Sequence, residues 1–138
     1  MKKMMNWLAG MTRLLRGPAI EEDRMQEITT EDMLEKALEE SASNPVFIFK
    51  HSTTCPVSAS AHRRASAWIE DQGGAVPAFY IVKVIESRPV SNEIASRLGV
   101  THQSPQLILL KDRAAVWNAS HGKITAEAIT AALEKADV

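Results

Sequence analysis

Residues 46–58 read Val46-Phe47-Ile48-Phe49-Lys50-His51-Ser52-Thr53-Thr54-Cys55-Pro56-Val57-Ser58. The first four are apolar and rich in strand formers, so they predict a short buried β-strand. His51 to Thr54 are polar and read as a turn. Pro56 marks the first residue of a helix, where its missing N–H would have been an orphan anyway. Cys55 then takes the capping position, facing the unpaired amides of the first helical turn. The helix runs on with Val57, Ala61, Ala65, Trp68 and Ile69 on one face and closes at Gly73-Gly74.

The same grammar extends in both directions. Upstream, Thr29 or Thr30 caps a helix whose apolar positions Met33, Leu34, Ala37 and Leu38 follow the 3.6-residue period, and Asn44-Pro45 stops it. Downstream, Phe79–Ile85 reads as a second strand. Ser91 is expected to cap a short helix with Ile94, Ala95 and Leu98 inward, closed by Gly99. Ser104-Pro105 leads into a third strand, Leu107–Leu110. Asp112-Arg113 turns that strand into an antiparallel partner at Ala115-Val116-Trp117, and Thr125 caps a last helix with Ile129, Ala132 and Leu133 inward. Strands joined through helices favour parallel pairing, and the hairpin adds an antiparallel edge. The expected fold class is α/β, a small central mixed β-sheet with helices on both faces over residues 28–138.

Residues 1–27 read as an N-terminal extension. Met4, Leu8, Met11 and Leu15 share a helical stripe with Lys2, Lys3, Arg13 and Arg16 as its charges, a short amphipathic helix ended by Gly17-Pro18. Asn6 and Thr12 interrupt the apolar stretch and no small-residue cleavage site follows, so a signal peptide is not expected and the location is expected to be cytoplasmic.

Composition narrows the function. The 138 residues are enough for one domain with a core that needs no staple. Sixteen Lys and Arg against seventeen Asp and Glu leave a net charge of −1, which argues against nucleic acid as the main partner. No window of about twenty apolar residues exists, so a membrane is not expected as a partner either. A single cysteine excludes an intramolecular disulfide and zinc sites built from several cysteines. His51, His62, His102 and His121 lack metal-ligand spacing, so no metal site is expected.

The chemistry therefore centres on Cys55. Backbone amides and the helix dipole stabilise a negative sulfur at a helix start, which makes such thiols nucleophilic near neutral pH. The competing reading, a small buried hydrophobe, fits poorly between Thr54 and Pro56 in a polar turn. Ser58, three residues on, can point its hydroxyl back at the sulfur or bond a local carbonyl. His51 either tunes the thiol or sits in solvent. Pro105 stands at a strand entrance, where an ordinary trans proline is permitted, and only about one X–Pro bond in twenty is cis.

A strand, a cysteine at the next helix start, and a proline before a later strand, hairpin and helix resemble the thioredoxin superfamily over residues 28–138. The stretch from Ile81 through Leu98-Gly99-Val100 to Ser104-Pro105-Gln106-Leu107 is similar to that superfamily's middle and cis-proline region. The resemblance implies a thioredoxin-like fold and a cis bond at Pro105. Within it, Phe49-Lys50-His51-Ser52-Thr53-Thr54-Cys55-Pro56-Val57-Ser58 resembles the monothiol bacilliredoxin-like proteins of the bacillithiol system. A dithiol thioredoxin would carry a second cysteine where this chain has Ser58, and the Cys-Gly-Phe-Ser motif of monothiol glutaredoxins is absent.

What the resemblance implies is a thiol-disulfide oxidoreductase acting on mixed disulfides between proteins and a low-molecular-weight thiol, bacillithiol, by thiol-disulfide exchange. Cys55 is the expected nucleophile, supported by Thr54, Pro56, Ser58, Ser104 and Pro105. His51, Ser52, Thr53, His102 and Gln103 are candidates to bind the small thiol. No metal or organic cofactor is expected, bacillithiol serving as thiol co-substrate, and the expected partners are bacillithiolated proteins. Two other readings stay open: an iron–sulfur carrier using Cys55 from two chains, and a non-catalytic peptide-binding adaptor.

Overall fold

The computed structural model describes residues 24–74 and 76–137. The amphipathic helix expected near the N-terminus lies outside the described residues. Five strands form one sheet: β1 (Gln26–Glu27), β2 (Val46–His51), β3 (Ala78–Lys83), β4 (Gln106–Lys111) and β5 (Ala114–Ser120). Four helices alternate with them: α1 (Glu31–Glu40), α2 (Pro56–Asp71), α3 (Arg88–Leu98) and α4 (Ala126–Ala136). The sheet order is β1-β3-β2-β4-β5, parallel on the β1-β3-β2 side and antiparallel from β2 through β4 to β5. This is the mixed sheet expected from the sequence.

Strand alternation sends side chains to two separate cores. Phe47, Phe49, Phe79, Leu107 and Leu109 pack with Ala61, Ala65, Trp68 and Ile69 of α2 and Ile129 of α4. On the other face Val46, Ile48, Val82, Ile108 and Leu110 pack with Leu34, Ala37 and Leu38 of α1 and Val90 and Ile94 of α3. The hairpin turns on Asp112 (φ 54°) and Arg113 (φ 64°), two residues in the left-handed region, which suits the twist of the strands they join.

Four sequence expectations shift. Residues 26 and 27, assigned to the extension, pair with Tyr80 and Ile81 and belong to the sheet. Ser91 does not cap its helix. Ser87 holds that position, because Pro89 fits the first turn and lets the helix begin earlier, and Ser91 is then buried one turn in. Val57 does not face the core but is half exposed at 49%, since the stripe of α2 that meets the sheet runs from Ser58. The second strand ends at Lys83, leaving Ile85 on the surface.

Candidate functional site

Central strand β2 ends at His51, and α2 begins five residues later. Cys55 caps α2 in extended conformation (φ −106°, ψ 122°) with Pro56 following. Its N–H donates to Ser52 O at 3.3 Å and its C=O accepts the Ala59 N–H at 3.0 Å. The thiol is free and partly exposed. Thr53 Oγ1 donates to Glu86 Oε2 at 3.3 Å, and Ser52 Oγ lies 3.4 Å from Thr54 Oγ1, so the turn is tied on both flanks.

Ser58 departs from expectation. Its oxygen is fully buried, accepts the Ser52 N–H at 3.0 Å, and lies 2.7 Å from His51 Nδ1, so neither the sulfur nor a carbonyl is its partner here. His51 is no solvated loop residue. It ends β2, stacks at 5.0 Å on His62 and 5.5 Å on Phe49, and burial holds its imidazole below the usual histidine range. Lys83, and His62 when protonated, push the same way, while Glu86 opposes them.

The Ser104–Pro105 bond is cis, as the resemblance implied. β4 runs antiparallel to β2, with Gln106 opposite Lys50, so the 101–105 loop enters the sheet at the end where β2 hands over to the Cys55 turn. Buried Gln106 scaffolds that loop. Its Oε1 accepts the Gln103 N–H at 3.3 Å and its Nε2 donates to Thr101 O at 3.1 Å. Pro105 O accepts the His121 N–H at 3.2 Å. The hydroxyl of Ser104 is shielded and unpartnered among the described residues. His102 sits on the loop surface, its imidazole held low by burial and then by the charges of Lys50 and Arg88.

The structure therefore joins His51, Ser52, Ser58 and Cys55 by hydrogen bonds, and strand register sets the loop of Gln103, Ser104 and Pro105 at the same end of the sheet. Two residues escaped sequence reading. Lys50 and Gln106 are fully buried polar side chains facing each other across two central strands. The clue for Lys50 was its place in the strand: alternation sets it on the face of Ile48, opposite Phe49 and His51. Among the described residues, no three His, Cys, Asp or Glu side chains gather as metal ligands would, and no helix is long and apolar enough to cross a membrane.

Comparison with known proteins agrees with this geometry. The family model described as monothiol bacilliredoxin BrxC matches residues 26–129. A solved structure described as a candidate oxidoreductase with a thioredoxin fold is 29% identical, covering 83% of this chain and 98% of its own, at a TM-score of 0.74. Mitochondrial thioredoxin 3 from Saccharomyces cerevisiae superposes at a TM-score of 0.65 with 13% identity, covering 83% and 98% of the two chains. Thioredoxin from Fasciola hepatica does so at 0.62 with 18% identity, covering 81% and 99%. The last two show the fold alone.

Proposed function

The chain belongs to the monothiol bacilliredoxin family and is a thiol-disulfide oxidoreductase, and on that premise we propose that it removes bacillithiol from protein mixed disulfides. The observation that carries the reading is Cys55, a lone, partly exposed thiol capping α2 at the end of the sheet where the cis-proline loop also enters. The Cys55 thiolate attacks the bacillithiol sulfur of the mixed disulfide. The S–S bond of the mixed disulfide breaks, the protein cysteine leaves as a thiolate and takes up a proton, and bacillithiol remains disulfide-linked to Cys55. Ser58 has no sulfur with which to resolve that state, so a second small thiol attacks it and restores Cys55. Thiols and disulfides alone balance every electron, so the cycle needs no resident metal or organic cofactor. It needs a reducing thiol pool, which supports a cytoplasmic location.

Selectivity for the small thiol falls to Ser52, Thr53, His102, Gln103 and Ser104 around the two loops, His51 being taken up by Ser58 and its ring neighbours. Half-exposed Val57, two residues after Cys55 in the chain, offers apolar surface to the substrate protein. A polar group left unpaired against the wrong thiol is worth about 1–3 kcal/mol. A bacillithiol-modified model protein should therefore be reduced at least about tenfold faster than the glutathione-modified one, one such penalty's worth. Cys55→Ser should abolish both reactions. Equal rates would keep the exchange mechanism and remove bacillithiol as the preferred thiol.

A further inference from the structure

We propose that His51 is a positioning residue for the exchange reaction, holding the Cys55 turn in place through Ser58. The inference rests on the thiol-exchange reading above and adds the part of the chain that seats the sulfur. Ser58 is fully buried, and its oxygen accepts the Ser52 N–H at 3.0 Å. An amide N–H can only donate, so the polarity of that bond is settled. The hydroxyl proton then needs an acceptor of its own, because a buried donor left unmade is costly. His51 Nδ1 lies at 2.7 Å and supplies it when the imidazole is neutral with its proton on Nε2.

The surroundings of the ring favour that state. Phe49 of β2 and His62 of α2 stack on it at 5.5 and 5.0 Å. The titratable groups that face it are His62, Lys83 at the end of β3, and Glu86 beyond that strand. Burial and the first two disfavour a charged ring, against Glu86 alone. Protonation would turn Nδ1 into a donor and strand the Ser58 proton.

Ser52 is the next link. Its N–H is held by Ser58 and its C=O accepts the Cys55 N–H at 3.3 Å. A chain of three hydrogen bonds thus runs from the imidazole to the backbone of the nucleophile. Exchange needs the attacking sulfur aligned with the disulfide, and displacements of about 1 Å in such sites cost up to about a hundredfold in rate.

The test combines kinetics with NMR on the full chain. His51→Ala should lower kcat/KM toward a bacillithiol-modified protein by about tenfold and speed hydrogen exchange at the Ser52 amide by a similar factor. His51→Asn, whose Oδ1 can take the place of Nδ1, should recover most of both. The wild-type ring should show the Nε2–H tautomer in its nitrogen chemical shifts. Combining His51→Ala with Ser58→Ala should lose no more than the worse single variant, since the two act in one chain. Additive losses, a protonated Nδ1, or a His51→Asn variant no better than His51→Ala would each overturn the proposal. Failure of the wild-type protein on every mixed disulfide would instead overturn the functional reading and the kinetic half of this proposal, even with the Ser52 amide protected.

Discussion

Lys50 shows how much one residue can ask of a fold. Its side chain is fully buried between Ile48 and the turn, and its Nζ donates to Ser91 O at 3.2 Å. Burial draws its pKa from 10.5 down to about 8. Between those values the unfolded chain holds a proton that the folded chain has released. Stability therefore rises with pH through that window, and below it the fold bears the cost of a buried ammonium. Denaturant unfolding followed from about pH 7 to about pH 10 should show this upward slope, and Lys50→Met should flatten it. An unchanged slope in the variant would assign the proton to another group. At this scale Cys55 was legible from sequence, because Pro56 marks the helix start that makes it a cap. Ser58 and His51 were not. Their partners lie six and seven residues apart, and only the turn between β2 and α2 brings them together.

Among the elements, the cap of α1 and the strand hairpin were both readable, yet the residue that joins them was not. Thr30 caps α1 by accepting the Met33 N–H at 3.1 Å, as threonine before a periodic apolar run implies. Ser41 follows the last turn of that helix. Its Oγ donates to Leu38 O at 2.6 Å and accepts the Arg113 N–H at 2.9 Å, while its C=O accepts the Asp112 N–H at 2.7 Å. The end of α1 is thereby latched to the turn between β4 and β5, and Glu35 adds an ion pair to Arg113 at 2.7 Å. Ser41→Ala removes both hydrogen bonds of the buried Ser41 hydroxyl, each worth about 0.5–1.5 kcal/mol, and should cost about 1–3 kcal/mol. The expected signature is a lower denaturant midpoint with an unchanged m-value. A serine near a helix end reads locally as a cap and nothing more, since a contact across 72 residues leaves no periodic trace.

For the whole molecule, the two-residue strand β1 does more than its length suggests. Met25 and Ile28 flank it on opposite faces, Met25 in the core under α2 and Ile28 in the core under α1 and α3. The Ile28 N–H also donates to Ile81 O at 2.9 Å. Ile28 is fully buried, so Ile28→Ala should remove about 2–5 kcal/mol of stability, measured by calorimetry as a fall in Tm. A loss below about 0.5 kcal/mol, the range of surface substitutions, would mean that the strand is dispensable. Local sequence carries the α/β class, the alternation of helices with strands, the hairpin and the capping place of Cys55. Each of these is written in local signals: hydrophobic period, capping residues, and proline at a helix start. Long-range packing set the rest: β1 joins the sheet, Lys50 and Gln106 lie opposite each other as buried register partners, and Ser58 bonds His51 and Ser52. Those outcomes depend on strand register and on burial of polar atoms that must find partners, and both are set by residues far apart in the chain.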